Sequence, residues 1–340
     1  LKYPSIFAEK FLYMKKIIGL GNALTDVLVR LENDSTLQEL QLPKGSMQLI
    51  DSHIHEIISA HRGQLKEEKD AGGSSANTIR TLGLLGVQSA LIAKIGKDAD
   101  GIFYQEVLEK CRVKPFLSIH NQLPSGVCSA FISPDGERTM ATFLGASSTL
   151  SAEDLTPEMF AHQDYLYIEG YMVQNHDMMR HALSMAKKAG LQICLDLASY
   201  NIIEEDRDFF MEILEHDLDI IFANEEEAIA LTGLSPEEAV QAIAKKCNIA
   251  VVKIGKDGAL IARDEELIRV QAFQVKDVLD TTGAGDNFAA GFMYGLSHGY
   301  DLDRCGELGA LMASLVIQDI GASLSASHIE QVKAHIASWN

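Results

Sequence analysis

The segment Asp280-Thr281-Thr282-Gly283-Ala284-Gly285-Asp286 constrains this chain more than any other, because it runs straight into the apolar, helix-spaced stretch Asn287-Phe288-Ala289-Ala290-Gly291-Phe292. A loop that feeds a helix in this way leaves the first backbone N–H groups of the helix without intrahelical partners. Those groups form the positive end of the helix dipole, and Gly283 and Gly285 let an anion come close to them. Asp286 then places a carboxylate beside the anion. An anion hole next to a base suits the transfer of a phosphoryl group. The same residues also describe a glycine-shaped loop in which Asp286 merely caps the helix.

The chain has 340 residues, of which 47% are hydrophobic, enough for one large α/β core with a small appendage. Its formal charge of -19 excludes a nucleic-acid or anionic-membrane surface, since those need clustered Lys and Arg. Cys111, Cys128, Cys194, Cys247 and Cys305 are scattered and never in metal-ligand spacing, which predicts buried or free thiols and a reducing, cytoplasmic compartment. No apolar run reaches the length of a membrane span, and Glu9 and Lys10 interrupt the opening stretch where a signal peptide would be apolar. Met14 is read as a natural start, with residues 1–13 as an upstream extension.

Ile17 to Asn22, a short apolar run ending in a turn, reads as the first buried strand of a parallel sheet, with Asn22 and Asp26 expected at its carboxyl end. The Gly19-x-Gly21 pair lacks the third glycine of a dinucleotide fingerprint, since Leu24 stands there and Thr25 to Val29 continues as a strand. Ser46 to Ile50 is a further strand and Ser52 to His61 a helix. Ala90 to Ile95 reads as a strand, Ile102 to Cys111 as a helix, and Ser125 to Ser133 with Arg138 to Phe143 as a β-hairpin. A hairpin between βα units does not belong in a parallel sheet. Together with 23–50 it is expected to build a small separate sheet, a lid made by insertions at about 23–50 and 124–145.

Beyond Ser151, apolar strand-length runs at Tyr165 to Glu169, Leu191 to Leu197, Leu218 to Ala223 and Ile249 to Ile254 alternate with helical patterns. This predicts an α/β doubly wound, mostly parallel sheet. Two more strand-like segments, Ala259 to Ala262 and Leu267 to Phe273, lead into the Asp280 motif. Helices are expected at about Asn287 to His298, Asp303 to Gln318 and Ser327 to Ser338. No linker or repeat divides residues 15–340, so one domain is expected.

Three further motifs sit at predicted strand or helix ends. Ala71-Gly72-Gly73-Ser74-Ser75-Ala76-Asn77 places a close-approach turn at a helix mouth, with Asn77 able both to donate to and to accept from hydroxyls. Asn224-Glu225-Glu226-Glu227 ends a strand, where Asn224 and Glu227 suit a metal or its waters, or simply an acidic first helical turn. Lys253-Ile254-Gly255-Lys256-Asp257-Gly258 forms a turn able to lie along a nucleotide. No Gly-x4-Gly-Lys-Ser/Thr run occurs, which excludes a P-loop.

In this order, Gly72-Gly73 with Asn77, Asn224 with Glu227, Gly255 with Gly258, and the Asp280 to Asp286 motif resemble the signature of the ribokinase-type (PfkB) carbohydrate and nucleoside kinases. The resemblance spans Lys15 to Ser325. It is greatest to adenosine kinase-like members, through Gly21 to Asp26, Ala71 to Asn77, Tyr167 to Tyr171 and Phe222 to Ala228. It implies a ribokinase-like fold and ATP-dependent transfer to an alcohol group. Asp286 would be the general base, and the amides of Gly283, Ala284 and Gly285 the anion hole. Asp26, Gly72, Gly73, Asn77 and Asn22 would hold the acceptor hydroxyls, and Arg138 on the hairpin would reach the phosphates. Asn224, Lys253, Gly255, Gly258 and Thr281 would lie along ATP, and Asn224 and Glu227 would organise Mg2+ through water. A monovalent cation, K+, would sit near Asp280 and Gly321 in members that need one.

Tyr171 stands where adenosine kinases place a base-stacking aromatic, and Glu169 where ribokinases have a substrate-contacting carboxylate. The first favours a nucleoside acceptor, the second a free sugar or sugar acid such as ribose, fructose or 2-keto-3-deoxygluconate. A catalytically silent nucleotide- or sugar-binding protein is the alternative from another class. The exposed β-lid could pair edge to edge with a second copy as a homodimer, as in some members of the family, an assembly that patterning alone leaves open.

Overall fold

Ile17 and Ile18 are both fully buried, yet they feed different cores: Ile17 joins Tyr165, Tyr167, Phe222 and Val251, while Ile18 joins Leu166, Ile168, Ile221 and Val252. Continuous apolar runs are what parallel strands covered on both faces require. The structure, a computed structural model, describes residues 14–63 and 65–339, so the expected extension ahead of Met14 lies outside the described residues.

The chain opens with β1 (Ile17–Leu20) and β2 (Leu24–Arg30), then α1 (Ser35–Glu39), β3 (Met47–Leu49), α2 (Ser52–Arg62) and β4 (Glu67–Gly72). Next come α3 (Ser74–Leu84), β5 (Ser89–Gly96), α4 (Ala99–Lys110), β6 (Val113–His120), β7 (Gly126–Ile132) and β8 (Arg138–Phe143). Regular alternation follows: α5 (Pro157–Phe160), β9 (Tyr165–Glu169), α6 (His176–Ala189), β10 (Gln192–Asp196), α7 (Tyr200–His216) and β11 (Ile220–Asn224). The chain continues through α8 (Glu225–Thr232), α9 (Pro236–Ala244), β12 (Ile249–Lys253), β13 (Ala259–Arg263) and β14 (Glu266–Val270). It closes with α10 (Ala284–Ser297), α11 (Leu302–Val316) and α12 (Ala326–Ala337).

A nine-stranded sheet runs in the order β14-β13-β12-β11-β10-β9-β1-β5-β6, parallel from β6 to β12 and antiparallel at β13 and β14. Helices α3, α4, α10, α11 and α12 cover one face; α5 to α9 cover the other. From β1 the chain first builds outward through β5 and β6, then returns to β9 and builds the other way. The crevice at such a reversal, beyond the carboxyl ends of the strands, is where open α/β sheets bind ligands.

The second sheet has the order β3-β8-β7-β2-β4 and its own small core of Val29, Leu31, Leu37, Leu42, Ile58, Phe131 and Ala141. Its hairpin β7–β8 and strands β2 and β3 follow the expected excursions. The first excursion runs further than 23–50, because β4 pairs with β2 from Glu67 to Gly72. The polar sequence Glu-Glu-Lys-Asp hides that edge strand. Strand β6 also escapes sequence patterning, since Pro115 interrupts it, which an edge strand tolerates.

Two placements differ from expectation. Asp26 lies within β2 of the second sheet rather than at the end of β1. Helix α10 starts at Ala284, three residues earlier than its apolar pattern, because Gly283 caps it with φ 74°, a left-handed conformation that glycine adopts without strain. Asp286 therefore sits inside the first turn. All five cysteines are free thiols, and no helix among the described residues is long and apolar enough to cross a membrane.

Candidate active site

Asp286 is held from α3. Ser74 Oγ donates to its Oδ1 at 2.7 Å, Asn77 Nδ2 to its Oδ2 at 2.9 Å, and Thr78 Oγ1 to its backbone oxygen at 3.0 Å. Helix α3 is able to begin there because Gly73, at φ 96°, has no Cβ to overlap the Asn22 carbonyl oxygen behind it. Burial pushes the Asp286 carboxyl up to about 6, against the donations from Ser74 and Asn77 and the nearby Lys253. A carboxylate poised near neutrality and aimed into a cleft is suited to taking a proton.

Beside it, the loop from Asp280 to Gly285 is braced on three sides. Asp280 Oδ1 accepts from the backbone N and Oγ1 of Thr282 at 3.0 and 2.7 Å, and its Oδ2 accepts from the Gly321 amide at 2.7 Å. Fully buried Asn287 donates through Nδ2 to the carbonyls of Gly283 and Ala322 at 2.9 and 2.8 Å, while its Oδ1 accepts from Thr81 Oγ1 at 2.9 Å. Ala284 N–H is turned onto Thr281 O at 3.2 Å, whereas the Gly283 and Gly285 amides have no acceptor among the described residues. Arg138, reaching over from β8, bonds Thr282 Oγ1 at 2.5 Å and pairs with Asp280 Oδ2 at 3.0 Å, and its Nη2 is buried without a partner.

The cavity in front of Asp286, of ≈ 470 Å³, is lined by Ser74, Tyr171, Asp196, Asn224, Glu227, Lys253, Gly255 and Gly285 among others. Of the residues singled out in sequence, Asn224, Glu227, Lys253, Gly285 and Asp286 converge on it from β11, α8, β12 and α10, with Asn77 of α3 bonded to Asp286. Asn224 and Glu227 form a reciprocal cap: Asn224 Nδ2 and N donate to Glu227 Oε1 and Oε2 at 2.7 and 2.8 Å, and Glu227 N donates back to Asn224 Oδ1 at 2.8 Å. Burial pushes Glu227 up to about 7. No cluster of three acidic, His or Cys ligands occurs among the described residues, so a divalent ion here would keep its waters, as Mg2+ commonly does.

A second cleft of ≈ 450 Å³ continues from Gly255 past Gly258, Thr281 and Ala284 along Phe273, Val278 and Ile317, and its walls are mostly apolar. A third cavity, ≈ 630 Å³, opens on the other side of Tyr171 and reaches Asn22, Gln174, Asn175 and His176. Asp26 stands on β2 against Gly72, where a Cβ would overlap its carboxylate; burial and then Asp70 push it up to about 7. Asn77 Oδ1 is buried and unpartnered, an acceptor without a donor. Glu169, 1% exposed, is occupied: its Oε1 accepts from Asn22 N and Nδ2 at 2.9 and 2.7 Å, and its Oε2 from Ser75 N at 3.0 Å.

The sequence matches the pfkB family of carbohydrate kinases over residues 55–329. The chain belongs to that family. The pfkB kinases it resembles differ in acceptor. An adenosine kinase from Sinorhizobium meliloti shares 30% identity and superposes with a TM-score of 0.85 over 95% of this chain and 99% of its own. A probable sugar kinase from Rhizobium etli does so at 31% identity and the same TM-score, again over 95% and 99%. A ribokinase from Arabidopsis thaliana is 28% identical over 90% of this chain and 77% of its own length. The chain is a phosphotransferase acting on a sugar or nucleoside hydroxyl.

Three contributors escape sequence reading. Ser74 was visible only as part of a glycine turn, and Asn287 only as the first residue of an apolar helix. Asp196 ends the apolar strand β10, and that acidic strand end is the signal that would have found it.

Proposed function

We propose that this pfkB kinase transfers the γ-phosphoryl group of ATP to a nucleoside hydroxyl, with adenosine the acceptor of best fit. The observation that carries this reading is Tyr171, half-buried on the boundary of the cavity in front of Asp286 and the larger one beyond it. A ribose positioned at Asp286 leaves that second volume for a base lying against the aromatic ring. The engaged carboxylate of Glu169 supports the same choice, since it leaves the group that would favour a free sugar with its oxygens already bonded.

In this reading Asn77 Oδ1 and Asp26 accept from the acceptor hydroxyls, and Asp286 takes the proton of the attacking one. The new O–P bond forms as the bond to the β-phosphate oxygen breaks, and ADP leaves with that electron pair. The transition state is loose and its charge is spread over oxygens, so oriented donors contribute most of the rate. Gly283 and Gly285 offer free amides, and Arg138 Nη2 an unpartnered N–H. The apolar cleft beside Gly255 and Gly258 suits the nucleotide base. Asn224 and Glu227 would hold Mg2+ through water, where the ion offsets phosphate charge.

Measuring ADP formed by the purified protein with ATP and Mg2+ across adenosine, inosine, ribose, fructose and 2-keto-3-deoxygluconate tests the reading. The highest kcat/KM is expected with adenosine. A preference for a free sugar or sugar acid overturns the nucleoside assignment, and ligand binding with no ADP from any acceptor overturns catalysis.

A further inference from the structure

Lys253 ends β12 and Asp196 ends β10, on either side of the strand that carries Asn224. Their side chains meet at 3.0 Å, Nζ to Oδ2, and are 15% and 5% exposed. Lys253 is the only cationic side chain lining the cavity in front of Asp286 among the described residues, against Asp196, Glu225, Glu226, Glu227 and Asp286. Its Nζ lies 3.2 Å from the point a Cβ on Gly285 would occupy, so the ammonium stands against the residue whose amide has no acceptor among the described residues. Asp196 is itself fixed. Its Oδ2 also accepts from Tyr167 OH at 3.4 Å and its Oδ1 from Ala198 N at 3.3 Å. Tyr167 OH lies 3.3 Å from Thr78 Oγ1, the hydroxyl whose one proton braces the Asp286 backbone.

We propose that Lys253 is a second side-chain cation, beside Arg138, on the transferring phosphoryl group and that Asp196 is its positioning residue, holding the ammonium against the Gly285 side of the anion hole. The inference rests on the kinase reading and adds a part to it. A polyanion entering a cavity walled by carboxylates needs a fixed positive charge at the phosphorus end, and a compact ammonium on a paired stem supplies one without reorganising. Lys253 exchanges no proton in the step: the hydroxyl proton goes to Asp286, and the ammonium stays charged. Burial works against that charge, but Asp196 and Glu227 hold it above the usual lysine range.

The groups facing Asp286 predict how the pair bears on its proton. Ser74 and Asn77 face it from α3, Tyr167 and Glu169 from β9, Tyr171 just beyond, Asp26 from β2, Asp196 from β10 and Lys253 from β12. Of these, Asp196 raises the Asp286 pKa and Lys253 lowers it. Asp196→Asn should therefore move the acid limb of kcat/KM to lower pH, and Lys253→Met should move it to higher pH.

The decisive experiment is calorimetric and needs no acceptor: the affinity of each variant for a non-hydrolysable ATP analogue relative to ADP, with Mg2+ present. Lys253→Met should lose about tenfold of that preference. Asp196→Asn should lose part of it, and Lys253→Arg should restore most of it. An unchanged preference in Lys253→Met, or acid limbs that move together in the Asn and Met variants, overturns the inference. Wild-type protein that forms no ADP with any acceptor would overturn the kinase reading alone, because the calorimetric comparison stands without turnover.

Discussion

Asp286 is a carboxylate that burial pushes up to about 6, and it can act as a base only when ionised. Activity should therefore fall on the acid side. The kcat/KM of the free enzyme is expected to rise with pH through an apparent pKa of about 6 and to level off above it, as measured in buffers of constant ionic strength. Glu227, pushed up to about 7, lines the same cavity, and Asp26, also pushed up to about 7, feels the Asp286 charge, so the limb should be steeper than a single ionisation gives. A profile flat down to pH 5 would contradict the raised carboxyl. At this scale the sequence was informative where a residue type has few uses in its context: Asp286 behind Gly-Ala-Gly, or Asn77 behind Gly-Gly. Ser74 and Asp196 were silent because a serine in a turn and an acid at a strand end have many ordinary uses.

Helix α10 owes its position to Gly283 before it and Asn287 within it. Asn287 links the Gly283 carbonyl to Ala322 in the C-terminal loop and to Thr81 on α3, so it joins the two helices whose N-terminal ends form the site. Asn287→Ala would strip the Ala322 carbonyl and the Thr81 hydroxyl of this partner, at about 1–3 kcal/mol for each group that finds no water, while the Gly283 carbonyl would keep the backbone N–H of residue 287. A loss of at least about 2 kcal/mol in denaturant unfolding is expected, with kcat lowered more than the KM for ATP is raised. Unchanged stability together with unchanged kcat would contradict the bracing role. Elements were legible where an apolar period was long, as in β9 to β12. They were hidden where polar residues make an edge strand, as in β4, or where a capping glycine rather than the apolar pattern sets the start of a helix, as in α10.

Across the whole molecule, the second sheet and the main sheet meet through Arg138, which ties β8 to Thr282 and Asp280 in the loop before α10. A sheet that closes over the acceptor keeps water from competing with the substrate hydroxyl. Arg138→Met should therefore raise the ratio of acceptor-independent to acceptor-dependent ADP formation; a ratio equal to that of the wild type would show that the tie does not serve closure. The excursions that build this sheet were readable as a hairpin out of place among βα units. Its side-chain tie to a loop more than a hundred residues away was not, because sequence spacing carries no information about contacts made across the fold. The account as a whole claims that acceptor and phosphoryl donor meet at Asp286 and the Gly283 to Gly285 turn. Asp286→Asn tests this most directly, because the amide still accepts from one of Ser74 and Asn77 but cannot take a proton. Turnover should fall by about 10²–10⁴-fold while ATP affinity stays within a few-fold; a kcat equal to that of the wild type would contradict it.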